Sequence, residues 1–167
     1  MAYIGLGSNL GDRSACLQAA RERLAALPDA LLAAASPIYE TEPWGDPDQP
    51  AYHNQVVALT LGPTWTPHRL LAALWAIEAD QGRIRHPKRP YGPRTLDLDI
   101  LLFGALRLDT PELTIPHPRL RQRAFVLLPL ADLAGDVPIP DGQGGSVAQA
   151  LAKMPSKEVG KIVRATE

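Results

Sequence analysis

The chain has 167 residues, a size that predicts one domain spanning 1–167, with the role of the tail from about residue 155 left open. Hydrophobic residues make up 46% and charged residues 21%, and the net charge is −1, so a disordered chain and a globally basic nucleic-acid or anionic-membrane binder are both disfavoured. One cysteine excludes an internal disulfide and a cysteine-rich zinc site, which fits a reducing cytoplasm, and apolar runs broken well short of about 20 residues leave no membrane helix to expect.

Ala2 to Gly7 reads as a short apolar strand that runs into Gly-Ser-Asn-Leu-Gly-Asp. Asp12 is a suitable N-cap for a helix from Arg13 to about Leu27, with Leu17, Ala20, Leu24 and Leu27 on one face and Cys16 expected as a small buried hydrophobe beside them. A β-rich segment with Ile38 and Tyr39 precedes a proline-rich loop from Pro43 to His53, and Asn54 to Leu61 reads as the next strand. Thr66-Pro67 starts a second helix, a cap followed by proline at the first position, and Gly82 is its natural terminator. After a second long loop, Thr95 to Phe103 alternates cleanly as a strand, and Gly104-Ala105 suggests a two-residue hairpin turn into Leu106 to Leu108. Thr114 to Arg123 is a polar loop or short helix. Ala124 to Ala134 reads as a helix despite Pro129, and Ser146 to Met154 as a smaller one. Helices and strands that alternate irregularly, with a hairpin among them, predict an α+β sandwich with an antiparallel or mixed sheet.

Asp97 and Asp99 are two apart on a strand, so their side chains share one face, with Cα atoms roughly 6.6 Å apart, while Leu96, Leu98 and Ile100 face the core. Two carboxylates on one face repel unless a positive charge lies between them, and Mg²⁺ would satisfy that need; a wet strand face is the plain alternative. The neighbouring loop decides between them. It carries Arg83, Arg85, Lys88, Arg89 and Arg94 with no acid, and Arg119, Arg121 and Arg123 form a second cluster beside His117. Guanidinium forks next to paired carboxylates suit polyphosphate transfer, in which metal and arginines neutralise the moving group. No P-loop pattern occurs, and the glycines at 5, 7 and 11 do not have dinucleotide-loop spacing; they read as a strand–turn–helix junction with a small structural role. Trp44, Tyr52 and Asn54, with Phe125 beyond the second arginine cluster, suit a flat heterocycle with stacking faces and a hydrogen-bonding edge.

Tyr3-Ile4-Gly5-Leu6-Gly7-Ser8-Asn9-Leu10, Asp48-Gln49-Pro50 with Tyr52 and Asn54, Gly92-Pro93-Arg94-Thr95-Leu96-Asp97-Leu98-Asp99-Ile100 and Ile115-Pro116-His117-Pro118 with Arg123 and Phe125 resemble the 6-hydroxymethyl-7,8-dihydropterin pyrophosphokinases of folate biosynthesis. The resemblance runs from Tyr3 to about Leu133. It implies a ferredoxin-like α+β sandwich with a mainly antiparallel sheet. It also implies transfer of pyrophosphate from ATP to the pterin hydroxymethyl group with release of AMP, and two Mg²⁺ ions held by Asp97 and Asp99. By position, Arg83 and Arg94 would act on the phosphates with the two aspartates. Glu78, Arg85, Ile100, Thr114, His117 and Arg123 would form the ATP site. Thr41, Trp44, Tyr52, Asn54, Tyr91 and Phe125 would form the pterin site. The expected partners are these two small molecules, not nucleic acid or membrane, for a monomer in the cytoplasm. Tyr91 stands where the family commonly has tryptophan, and the loop before it is one residue longer.

Overall fold

Strand β1 (Ala2–Ser8) sets the arrangement through its period of two: Ala2, Ile4 and Leu6 are buried on one face, and Gly5 and Gly7 leave the other face bare. A computed structural model describes residues 1–43, 48–84 and 92–165 of the chain. Helix α1 (Arg13–Ala25) follows, and Asp12 caps it by accepting from the Ala15 N–H at 3.0 Å. Strands β2 (Ala30–Ala35), β3 (Tyr39–Thr41) and β4 (Tyr52–Leu61) come next, and then helix α2 (Pro67–Asp80), capped by Thr66 and ended before Gly82, whose φ is +73°.

Strand β5 (Asp97–Phe103) completes the centre. Among the described residues every strand pairing is antiparallel: β1 lies between β4 and β5, and β4 carries β3 along its first half and β2 along its second. The short strand β6 (Leu108–Asp109) pairs with β7 (Thr114–Ile115). A 3₁₀ turn at Leu120–Gln122 leads to α3 (Ala124–Ala134), followed by α4 (Val147–Ala152), α5 (Ser156–Val159) and β8 (Val163–Arg164), which pairs with β3. This is the mainly antiparallel α+β sandwich that the sequence predicts.

Both faces of the sheet are covered. Leu17 and Leu24 of α1 and Leu70, Leu74 and Ile77 of α2 pack with Ile4, Leu6, Val57, Leu59, Leu98 and Ile100 on one side. Val126, Leu127 and Leu130 of α3 and Val147 and Ala150 of α4 pack with Val56, Leu101 and Leu102 on the other. Residue Leu101 is skipped in the pairing with β1, where Tyr3 meets Leu102 and Ile4 meets Ile100. That bulge lets Leu102 join Leu101 on the α3 side, and the Leu101 carbonyl accepts the His117 N–H at 3.0 Å.

Three expectations change, and one element was not predicted. The turn at Gly104-Ala105 exists, but no hairpin follows it: the Gly104 N–H goes to the Met1 carbonyl and β6 turns away to pair with β7. The real hairpin turn is Thr110–Leu113, with Pro111 at its second position and reciprocal bonds of 3.0 and 3.3 Å between Thr110 and Leu113. The helix expected to reach Leu27 ends at Ala25. Cys16 is half-buried rather than buried, because it lies at the margin of the α1 stripe. Finally, the segment 30–35 is a strand, although its alanines and leucines carry no strand signature.

Candidate active site

The cleft opens on the α3 side of the sheet, above Gly5 and Gly7. Gly7 is flanked by Asn54 on β4 and Asp97 on β5, and Gly5 by Val56 and Asp99. With no side chains at these two β1 positions, the floor is bare backbone between two rows of functional groups. A Cβ at Gly7 would come within 3.3 Å of Asn54 Oδ1 and 3.9 Å of Asp97 Cβ. The resulting cavity has a volume of about 470 Å³.

Its centre is charged. Arg94 Nη1 donates to Asp97 Oδ2 at 2.8 Å, and the Arg83 guanidinium pairs with both Asp97 and Glu78. Glu78 is only 2% exposed, and its carboxylate also accepts the Leu98 N–H at 2.8 Å. That acid on α2 therefore fixes Arg83 and the stretch of β5 between the two aspartates at once. Burial would raise the Asp97 pKa, but Arg94 and Arg83 outweigh it and hold the carboxyl below its usual value. Asp99 has the opposite balance: burial and then the Asp97 charge push it up to about 7, against the weaker pull of Arg123. Arg123 Nη1 and His117 Nε2 each stand 3.7 Å from Asp99 Oδ2. Burial, with Arg123 second, lowers His117 to about 4, so its ring is neutral at pH 7. Its Nδ1 accepts the Arg119 N–H at 3.0 Å, which places the ring proton on Nε2, on the Asp99 side.

A heterocycle-sized end lies on the β3–β4 side. Asn54 Nδ2 donates to Thr41 Oγ1 at 2.6 Å, which leaves Asn54 Oδ1 over the Gly7 floor. The Tyr52 hydroxyl donates to Gln49 Oε1 at 3.2 Å, and burial raises its pKa. Phe125, in the first turn of α3, lies under the Arg123 guanidinium, 5.6 Å from ring centre to Cζ. At this helix start the described residues supply no side-chain cap, and the Val126 and Leu127 N–H groups both donate to the Arg123 carbonyl at 3.0 Å.

The structure brings Arg83, Arg94, Asp97 and Asp99 together on one cleft. It also places Glu78, Ile100, Thr114, His117 and Arg123, and Thr41, Tyr52, Asn54 and Phe125, on the same cleft. Trp44, Arg85 and Tyr91 lie outside the described residues. The sequence reading missed Gly5, Gly7 and Asn9 as contributors, and Trp75 stands where the resemblance places a polar ATP contact. Gly5 and Gly7 form the floor rather than a mere junction, and their signal was the two-residue spacing opposite Asp99 and Asp97. Asn9 is 2% exposed and bonds to both loops that border the site. Trp75 lines the cleft from α2.

Two carboxylates on one face are hard oxygen donors, and Asp99 is 41% exposed to the cleft. Among the described residues no group of three or more His, Cys, Asp or Glu could cage a metal. The pair therefore fits a cation that takes its remaining ligands from water and substrate phosphates, as Mg²⁺ does. No described helix is long and apolar enough to cross a membrane.

The sequence model of the family described as 7,8-dihydro-6-hydroxymethylpterin-pyrophosphokinase matches residues 3–135. Proteins named 2-amino-4-hydroxy-6-hydroxymethyldihydropteridine pyrophosphokinase are similar along nearly the whole chain. The one from Pseudomonas aeruginosa is 46% identical over 160 residues, covering 96% of this chain and 95% of its own. That from Methylorubrum extorquens is 43% identical over 161 residues, covering 96% and 98%. In fold, the chain is similar to the Plasmodium falciparum HPPK-DHPS protein with a TM-score of 0.69 at 14% identity, over 98% of this chain and 47% of that one, so it spans about half of that longer protein. With a family model matched over residues 3–135 and relatives above 40% identity over nearly its full length, the chain belongs to the 7,8-dihydro-6-hydroxymethylpterin-pyrophosphokinase family.

Proposed function

We propose that this cleft transfers the pyrophosphoryl group of ATP to the hydroxymethyl oxygen of 6-hydroxymethyl-7,8-dihydropterin, giving the pterin diphosphate and AMP. One observation carries the reading: Asp97 and Asp99 share a face among Arg83, Arg94, Arg123 and His117, next to a pocket formed by Thr41, Tyr52, Asn54 and Phe125. The pterin lies over the Gly7 floor between Tyr52 and Phe125, and Asn54 Oδ1 accepts from its ring edge while Thr41 holds the amide. Its hydroxymethyl group then reaches toward the aspartates, where the β-phosphorus must arrive in line.

Asp97 and Asp99 would hold Mg²⁺, with two ions expected, and the metal would neutralise the phosphates and ease loss of the hydroxyl proton. Arg83 and Arg94 pair with Asp97 and would turn to phosphate oxygens as charge spreads in the transition state. The neutral His117 donates from Nε2, and Arg123 supplies a fixed charge on the same side. By the resemblance, Arg85 would join the ATP site and Trp44 and Tyr91 the pterin site, and exclusion of water would protect the transferring group. The same reading takes the chain as one domain, acting as a monomer in the cytoplasm on small molecules only.

The test is AMP release from ATP with Mg²⁺, with and without the pterin, for wild type and Asp97→Ala. Pterin-dependent AMP that the substitution abolishes supports the reading. Nucleotide binding with no AMP under any condition overturns it.

A further inference from the structure

The three residues of β3 pair with β4 in a register that sets Tyr39 opposite Asn54, Glu40 opposite His53 and Thr41 opposite Tyr52. Side chains alternate along both strands, so Thr41, Tyr52 and Asn54 line the cleft while Glu40 and His53 form a pair on the reverse face. The first turn of α1 lies against that pair. Asp12 caps the turn, and the two residues after the cap both reach the strands. Arg13 Nη2 is 2.9 Å from Glu40 Oε2, which is also 3.4 Å from His53 Nε2, and Ser14 Oγ is 3.2 Å from His53 Nδ1. Arg13 has a second hold: its Nη1 donates to the Ala51 carbonyl at 2.9 Å, one residue before Tyr52. One guanidinium behind the sheet is thus bonded beside Thr41 and beside Tyr52.

We infer that Arg13 is a positioning residue for the pterin end of the cleft, acting through β3 and β4 from the face opposite the substrate. This deepens the proposed function and rests on it. Asn54 Oδ1 stands over the Gly7 floor because Asn54 Nδ2 donates to Thr41 Oγ1 at 2.6 Å, so the place of that acceptor depends on how β3 lies beside β4. A three-residue ladder is a weak determinant of that spacing, and the outer neighbour of β3, β8, is only two residues long. An exposed ion pair alone contributes little, and Arg13 and Glu40 are 27% and 47% exposed. Arg13 does more because its planar fork serves two partners, a carboxylate on β3 and a backbone carbonyl at the entrance to β4. A shift at either moves a pterin contact, and such contacts tolerate little displacement. The phosphate-binding groups are held elsewhere: Arg83 and Arg94 pair with Asp97 on β5, and Glu78 accepts the Leu98 N–H.

The experiment is titration calorimetry on wild type, Arg13→Ala, Arg13→Lys, Glu40→Ala and the double variant Arg13→Ala/Glu40→Ala, with thermal melts to check folding. Each protein is titrated with Mg²⁺ and α,β-methylene-ATP, whose methylene bridge replaces the bond to be broken. The saturated complex is then titrated with 6-hydroxymethyl-7,8-dihydropterin. The expected pterin Kd is raised about tenfold in Arg13→Ala and about threefold in Glu40→Ala, with the nucleotide Kd unchanged throughout. Arg13→Lys keeps the charge but cannot serve both partners, so its pterin Kd should rise about threefold; it decides the matter if Arg13→Ala is unfolded. The double variant should bind pterin about as well as Arg13→Ala, since both substitutions break one linkage. Equal weakening of both ligands, or losses that simply multiply in the double variant, overturn the positioning role. Wild-type pterin binding in both Arg13 variants does the same and leaves the proposed function standing. A wild type that binds the nucleotide but no pterin overturns the proposed function, and this inference with it.

Discussion

Asn9 and Arg94 are bonded twice: the Asn9 N–H donates to the Arg94 carbonyl at 3.1 Å, and the Arg94 N–H donates to Asn9 Oδ1 at 2.8 Å. The same asparagine donates from Nδ2 to Gln49 Oε1 at 3.0 Å and to the Pro50 carbonyl at 3.2 Å. One buried amide at the end of β1 thus ties together the chain before Tyr52 and the chain before Asp97. Asn9→Ala removes three of these bonds and leaves buried groups unpaired, so a stability loss of about 2 kcal/mol is expected in urea unfolding. The larger effect is on catalysis. With the Arg94 backbone released by even an ångström, kcat should fall roughly 10²-fold with a smaller change in KM for either substrate. Wild-type kcat in a folded Asn9→Ala protein would show that this tie does not position Arg94.

Gly7 provides a test of the floor. A Cβ there would press on Asn54 Oδ1 at 3.3 Å, and Asn54 cannot retreat without giving up its 2.6 Å bond to Thr41. Gly7→Ala should therefore raise the KM for the pterin about tenfold and leave nucleotide binding near wild type, as read by steady-state kinetics and calorimetry. Equal loss of both ligands would mean that the floor shapes the whole cleft rather than one end.

The sequence discloses those parts of the fold whose side chains repeat with a single period. α2 was readable from Thr66-Pro67 through Gly82 because cap, stripe and terminator agree, and β5 because Leu96, Leu98 and Ile100 alternate with Asp97 and Asp99. The strand at Ala30–Ala35 was not, since alanine and leucine favour no strand and only pairing with β4 makes one, Leu31 opposite Thr60 and Ala34 opposite Ala58. The Gly104 turn misled because turn chemistry states that the chain bends, not which strand it meets afterwards. In the site, charge and aromatic groups were visible as residue types. Gly5 and Gly7 were not, because their contribution is an absent side chain, and its meaning appears only once β1 is known to lie between β4 and β5. Asn9 was hidden for a related reason: its partners are 40 and 85 residues away.

Glu78 joins stability to catalysis. Its carboxylate is buried between the Leu98 N–H and Arg83, so Glu78→Ala strands both a backbone donor and part of a buried ion pair. A loss of about 3 kcal/mol is expected in urea unfolding. Glu78→Gln keeps an acceptor for Leu98 and loses the charge facing Arg83, so it should fold nearly as well as wild type while kcat falls because Arg83 is less firmly placed. The two variants separate the roles. If Glu78→Gln loses as much stability as Glu78→Ala, the charge rather than the hydrogen bond to β5 holds this corner.

A pH test lies away from the active centre, at the contact between β3 and α3. The Tyr39 hydroxyl donates to Asp132 Oδ2 at 2.8 Å, and burial, followed by this bond and the Asp132 charge, pushes the Tyr39 pKa up to about 12. An unfolded tyrosine titrates near 10. The folded state therefore holds this proton more tightly than the unfolded state. Its contribution to stability is complete below pH 10 and is lost as pH rises from about 10 toward 12. Tyr39→Phe removes both the bond and the titration. The expected outcome is a wild type more stable than the variant at pH 8 and an advantage that shrinks steadily above pH 10, measured as the difference in urea midpoint across the range. An advantage constant from pH 8 to 11.5 would show that folding does not raise the Tyr39 pKa, and no advantage at pH 8 would show that the bond to Asp132 adds nothing to stability.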